Sequence, residues 1–365
     1  HGHEDHFGAI QYLWEYLPLP IYTSKFTAEF LRTKLKEYDF AAQVKIIEVP
    51  LESKFNVGPF ALELVEINHS IPEMNALVFH SKEGKIFHTG DWKFDKNPVL
   101  GSPDDYSKFA KLGDSGIKAF ICDSTNIMSE GHSGSEGDLQ ESLIKIISEQ
   151  KNLTVVSCFA SNVGRLITII KAVRKLGKKM VVCGRSLQRI IQVAQTTGYI
   201  DALPELIQIE DVAKYKREDL LLLATGCQGE ERAALTRLAQ GTHPYIKLHK
   251  GDSVILSSKI IPGNERKIIP LFNLLARKEI NAITERDAFV HVSGHPNRDE
   301  LTKMYELIRP EIAIPVHGES FHLYAHMKFA KEMGVKSSHY ITNGDCFRIS
   351  GSEAEKVFEV KAGIM

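Results

Sequence analysis

The chain opens on His1-Gly2-His3-Glu4-Asp5-His6, six residues that offer three imidazoles and two carboxylates. Residues at i and i+2 of an extended segment project to one side, so His1 and His3 could share a metal ion. Asp5 and His6 follow on the next turn. Four donors from six residues cannot all serve one tetrahedral ion. The spacing suits a split, with His1 and His3 on one ion and Asp5 and His6 on a neighbour, each site completed from elsewhere. A purification tag would be an uninterrupted His run, whereas this one is interleaved with Glu4 and Asp5 and leads into apolar residues.

The completing donors belong at strand ends, where a sheet holds them rigidly. His69 in Glu66-Ile67-Asn68-His69-Ser70, Asp91 in Thr89-Gly90-Asp91-Trp92 and His317 in Pro315-Val316-His317-Gly318-Glu319 stand at such places. Taken singly, such residues more often serve structure, as a satisfied core histidine or an Asp closing a Gly turn.

The elements around them follow from hydrophobic period. Phe7, Ile10, Leu13, Trp14 and Leu17 predict an amphipathic helix directly after the His-rich turn. The alternation over 61–67 and the short apolar runs 76–79 and 85–88 predict sheet. From residue 119 the rhythm changes to strands at 119–123, 154–160, 180–184, 220–226 and 252–257, with helices between most of them. The clearest helix spans 162–176, with Val163, Leu166, Ile167, Ile170 and Val173 on one face and Gly177 as its stop. Strands at 289–294 and 312–319, each followed by a helix, close a pattern that reads as a parallel α/β unit.

Composition narrows the class. With 43% hydrophobic and 25% charged residues the chain is globular rather than disordered or fibrous. Its 365 residues suggest two domains, or one core with an insertion; without repeats or a long linker, the domains must be interleaved. Forty-five Lys and Arg against 46 Asp and Glu give a net charge of -1, a weak argument against nucleic acid or membrane as partner. No apolar run reaches the ~18 residues of a membrane span, and the N-terminus lacks the layout of a secretory signal. Five well-separated cysteines fit a reducing, cytoplasmic setting.

Two segments offer phosphate-binding chemistry. Ser161-Asn162, after Ala160, closes a strand and opens the helix that contains Arg165, so backbone N–H groups, hydroxyl, amide and guanidinium could converge on an anion. By themselves Ser161 and Asn162 read as an ordinary helix cap. In His291-Val292-Ser293-Gly294-His295, a glycine allows close backbone approach just before another helix.

Together these positions resemble the metallo-β-lactamase superfamily, whose H-x-H-x-D-H motif, later His, bridging Asp and final His build a two-zinc hydrolase site. Asp123 in Cys122-Asp123-Ser124-Thr125-Asn126, His295 and His317 are similar to the three extra motifs of its β-CASP nucleases. Phe159-Ala160-Ser161-Asn162, Gly184-Arg185-Ser186 and Ile261-Pro262-Gly263-Asn264-Glu265 resemble the bacterial ribonuclease J family. The resemblance implies an αββα metallo-β-lactamase sandwich (1–135 and 291–365) interrupted by a β-CASP domain with a mainly parallel sheet (136–290). It implies two Zn²⁺, with Mn²⁺ or Mg²⁺ as substitutes: one held by His1, His3 and His69, the other by Asp5, His6 and His317, with Asp91 bridging. Those ions would add four positive charges where phosphate must bind, which withdraws the argument from net charge.

It further implies 5′-to-3′ exonucleolytic and endonucleolytic cleavage of single-stranded RNA, with preference for 5′-monophosphate ends. His295 would be the proton donor to the leaving oxygen, kept charged by Asp123. Ala160, Ser161, Asn162, Arg165 and the 291–295 turn would bind substrate, and the full-length protein would form homodimers or homotetramers. Strands ahead of His1 and a small C-terminal domain beyond Met365 are also implied. The alternatives are another β-CASP endonuclease, acting in RNA 3′-end processing or on DNA, or a thioester or ester hydrolase of the same superfamily; the long insertion, Asp123 and His295 argue against the hydrolase.

Overall fold

The computed structural model describes residues 1–261, 263–351 and 353–361; Pro262, of the segment 261–265, lies outside them. Alternating and short apolar runs build two principal sheets. The first has seven strands in the order Ser337–Ser338, Ile312–Val316, Ile117–Asp123, Gly84–His88, Asn75–Ser81, Phe60–Glu66 and Lys54–Val57. The strands from 54 to 88 form antiparallel hairpins, whereas Gly84–His88, Ile117–Asp123, Ile312–Val316 and Ser337–Ser338 run parallel. Phe87, Phe109, Phe120, Trp92 and Tyr305 pack on this sheet.

The second sheet is parallel throughout: Asn281–Ile283, Ser253–Leu256, Thr154–Ser157, Leu220–Ala224 and Lys179–Cys183. Parallel strands joined by helical crossovers are covered on both faces, so their sequences run apolar without alternation. Leu220, Leu221, Leu222, Leu223 and Ala224 are accordingly all buried. Helices Glu136–Ser148, Val163–Lys175 and Arg185–Thr196 cover one face, and Ala234–Gln240 and Glu265–Arg277 the other.

Two expected elements differ. The helix expected over residues 7–17 is two short pieces, Glu4–Phe7 and Ile10–Leu13, and Leu13 and Leu17 are exposed. Trp14 turns inward to stack on Phe40 at 5.4 Å, and Pro18 and Pro20 deny the helix any continuation. The segment 289–294 forms no strand: residues 290–293 have no regular structure, and Phe289 and Gly294 lie in bends. Side chains satisfy its carbonyls instead: Arg165 and Ser257 donate to Val290, Arg165 to Val292, Lys93 to Ser293, and His69 bonds Gly294.

Arg165 is the hub of that arrangement. Its guanidinium is fully buried and donates to both oxygens of Glu136 at 2.6 and 3.0 Å, and to the carbonyl and hydroxyl of Ser257 at 2.7 Å each. The charge is therefore consumed inside the fold, and Arg165 does not present itself to a substrate phosphate, contrary to the expectation above. Breaking such a buried pair from one side strands the partner charge, at a cost of about 3–5 kcal/mol. Arg165→Met should lower the urea midpoint by a corresponding amount; an unchanged midpoint refutes the hub.

A second polar knot ties down the loop beyond Asp91. The Asn68 amide donates to Ser102 and Asp104, Asp104 accepts from the Asp95 backbone N–H, and Asp95 accepts from Ser135 and the Glu136 N–H. Burial pushes the Asp104 carboxyl up to about 7, against the pull of those donors. A carboxyl raised on folding holds its proton better in the folded chain, so stability falls as pH rises from about 4 through about 7. Asp104→Asn should flatten the thermal-midpoint profile over that window relative to the parent protein, and an unchanged slope would contradict it.

Candidate metal centre

Three neighbouring parallel strands, Gly84–His88, Ile117–Asp123 and Ile312–Val316, end on the same sheet edge, where crevices of α/β sheets receive ligands. Asp91 follows the first, Asp123 ends the second and His317 follows the third. His69 comes just after Phe60–Glu66, and the N-terminal residues reach the same edge, with Asp5 and His6 on the helix Glu4–Phe7. All seven expected ligand positions thereby meet.

The donor atoms of these seven fall into two sets, His1, His3, His69 and Asp91, and Asp5, His6, Asp91 and His317, while Asp91 and His317 also form a third set with Asp123 and His295; within each, atoms lie no more than 4.8 Å apart. In the first, His3 Nδ1 is 3.2 Å from His1 Nε2 and 3.0 Å from His69 Nε2. In the second, His6 Nε2 is 3.0 Å from Asp91 Oδ2, and His317 Nε2 is 3.2 Å from Asp5 Oδ2. Asp91 is common to all three, and its buried Oδ1 has no hydrogen-bond partner among the described residues.

Ring nitrogens pressed this closely cannot all be satisfied by one another. Together with the orphaned carboxylate oxygen they fit a pair of nitrogen- and oxygen-loving cations. Burial keeps two of the imidazoles neutral, as ligands must be: it drives His3 down to about 3 and lowers His69 strongly. Burial opposes ionisation of Asp91 and Asp123, yet the surrounding imidazoles hold both carboxyls below the usual range. Burial likewise opposes a charge on His317, but Asp123, Asp5 and Asp91 outweigh it and push its pKa up to about 11. The same field attracts a cation.

The outer bonds orient the rings. His69 Nδ1 donates to the Gly294 carbonyl at 2.6 Å, which leaves Nε2 with its lone pair towards the cluster. A Cβ at residue 294 would fall 2.9 Å from the His69 ring, so the approach requires glycine. The Thr125 hydroxyl donates to Asp123 Oδ1 at 2.7 Å and accepts from His317 Nδ1 at 2.8 Å, which again frees Nε2. Asp123 Oδ2 bonds His295 Nδ1 at 2.7 Å, and this carboxylate holds the imidazole charged although burial opposes it. The His295 ring stands 5.0 Å from His69 and 5.5 Å from His317, beside both sets.

The expected substrate residues divide. Asn162, Val292, Ser293 and Gly294 line one narrow cavity with His69, Ser70 and Lys93. Asn162 also caps its helix, accepting from the Arg165 N–H at 2.8 Å. Ala160, Ser161 and His291 do not line that cavity; Ala160 packs on the core, and His291 has a buried Nδ1 without a partner among the described residues. Sequence reasoning missed Thr125, Asn126 and Lys93. Asn126 donates to Ser293 Oγ and the His295 carbonyl, and Lys93 to the carbonyls of Gly134 and Ser293. Thr125 and Asn126 stood in the quoted turn after Asp123, and Lys93 directly follows the turn Thr89-Gly90-Asp91-Trp92.

Thr125 carries a direct consequence. Thr125→Val removes the bridge between Asp123 and His317 and should weaken divalent-metal binding about 10- to 100-fold in chelator competition. Thr125→Ser should retain it, and equal affinity in both variants would refute the role.

Two family models match parts of the chain. Residues 151–275 match the family model for the ribonuclease J β-CASP domain, and 280–340 match that for a Zn-dependent metallo-hydrolase RNA specificity domain. Ribonuclease J of Sinorhizobium meliloti is 39% identical over 363 residues, covering 100% of this chain and 64% of the relative. Ribonuclease J of Corynebacterium glutamicum is 36% identical, covering 100% and 51%, and ribonuclease J2 of Bacillus subtilis is 35% identical, covering 97% and 64%. The chain thus spans between half and two-thirds of the length of these curated relatives. A crystal structure of an Enterococcus faecalis protein of unknown function shares the fold at a TM-score of 0.63 and 18% identity, covering 90% of this chain and 75% of that one. By sequence along its whole length and by its α/β metallo-β-lactamase fold with a β-CASP sheet, the chain belongs to the ribonuclease J family.

Proposed function

We propose that this protein is a two-zinc ribonuclease that hydrolyses RNA phosphodiesters, chiefly 5′-to-3′ from 5′-monophosphate ends and also internally, in RNA maturation and mRNA decay. The observation that carries the reading is Asp91, a buried carboxylate shared by three sets of candidate metal donors, the third of which contains the His295–Asp123 pair. His1, His3 and His69 would hold one ion and Asp5, His6 and His317 the other, with Asp91 bridging and Mn²⁺ or Mg²⁺ able to substitute. Divalent metals in such a pair acidify water towards neutral pH and neutralise charge on a phosphate under attack.

The chain's own residues supply the rest. His295, fixed through Nδ1 by Asp123, presents Nε2 as the proton donor to the leaving oxygen. The cavity is lined by His69, Lys93, Asn162, Ser293 and Gly294 and also by Asp95 and Glu136, which pair with Lys93 and Arg165; that His69 belongs to both cavity and donor cluster supports the cavity's reading as the seat of the 5′-phosphate. We further divide the chain near residues 135 and 290, so that the mixed sheet forms the metallo-β-lactamase part and the parallel sheet the inserted one. The reading also places the protein in the cytoplasm, in keeping with the five unpaired cysteines; among the described residues no helix is long and apolar enough to cross a membrane.

Two measurements test this. His295→Ala should lower RNA hydrolysis at least about 100-fold while bound zinc stays near two per chain, whereas Asp91→Ala should lose both; matched zinc loss in the two variants would overturn the division of roles. Decay of one RNA with 5′-monophosphate and 5′-triphosphate ends should favour the monophosphate, and equal rates would reject the cavity assignment.

A further inference from the structure

The helix Ser320–Glu332 begins three residues after His317 and buries His326, Phe329 and Ala330. Its outward side carries Phe321, Tyr324, Lys328 and Lys331, all exposed and spaced by three, four and three residues, so they form one stripe along the helix. Phe321 is 57% exposed and Tyr324 50%. Each ring is braced by one neighbour: Phe321 meets the His322 imidazole at 3.8 Å between centroids, and the Lys328 ammonium lies 4.6 Å over the Tyr324 ring. Glu319 stands before the helix and off the stripe, whereas Glu332, four residues after Lys328, is an exposed carboxylate that closes the stripe at its C-terminal end.

Scattered exposed apolar residues need no explanation. Two aromatic rings and two lysines in line, starting beside the metal centre, form the combination that holds single-stranded nucleic acid: every base offers a π-face, and the cations meet its backbone. A face that docked a second copy would carry apolar residues at 328 and 331, because charged residues are depleted from the cores of such contacts.

We propose that Phe321, Tyr324, Lys328 and Lys331 form a stacking ledge for single-stranded RNA leading to or from the metal centre. It rests on the ribonuclease reading above and adds a binding surface to it. The rings would take bases and the lysines phosphates, so the ledge would act on affinity rather than on the chemical step.

The test is initial-rate cleavage of a 5′-labelled single-stranded RNA by the metal-loaded protein, with anisotropy binding of the same RNA in parallel. Phe321→Ala/Tyr324→Ala should raise KM about fivefold or more for each ring removed, with kcat within about twofold. Phe321→Trp/Tyr324→Phe should restore it. On RNA carrying abasic positions the ring deletions should have little effect, because the bases they would stack are gone. Lys328→Ser/Lys331→Ser should reduce the log–log salt slope by about 0.7 for each lysine.

Unchanged KM and affinity in the ring variant, or equal losses on intact and abasic RNA, overturn the ledge. So does a ring variant that changes only oligomeric state, which would mark the face as a contact between copies. If the parent protein cleaves no RNA, the ribonuclease reading fails; the anisotropy series still judges the ledge separately.

Discussion

Asp91 is a carboxylate at 2% exposure, surrounded by His1, His6, His69 and His317, with one oxygen that finds no donor among the described residues. Burying such a charge is costly unless cations or donors compensate it. Much of the architecture meets that constraint. Three parallel strands bring their ends together so that residues from positions 1 to 317 can surround one carboxylate. Metal ions held in this place would offset the penalty more completely than the imidazoles alone.

Around this centre the chain spends side chains on orientation. Asp123 serves two histidines, His295 directly and His317 through the Thr125 hydroxyl. His69 is turned by the Gly294 carbonyl, which belongs to a segment outside both sheets. That segment is held by Arg165 and Lys93, so a buried guanidinium over the second sheet fixes the aim of an imidazole at the edge of the first. The insertion is thus mechanically part of the centre, with the 290–294 strap as the joint.

Much of this could be read along the chain. His69, Asp91 and His317 stood out because each follows an apolar run that ends in a turn, and Asn162 because a polar residue opens a long apolar stripe. Arg165 was legible as a residue of the helix that Asn162 opens but not as a buried one, since its acceptors at 136, 257, 290 and 292 are remote in sequence. Thr125 carried no local mark distinguishing a bridge from a turn hydroxyl. The strap itself read as a strand because its composition is that of one; only the side-chain donors facing its carbonyls replace the missing ladder.

The sequence by itself determined the α/β class, because hydrophobic period is a local property that survives without coordinates, and its motifs carried the resemblance to the family and a candidate ligand set. The tertiary structure decided which donors share Asp91, which ring nitrogen each histidine turns inward and that Arg165 is structural. Those outcomes depend on contacts across 29 to 312 positions of sequence, as between Arg165 and Glu136 or His317 and Asp5. Only the closure of the sheets sets such distances.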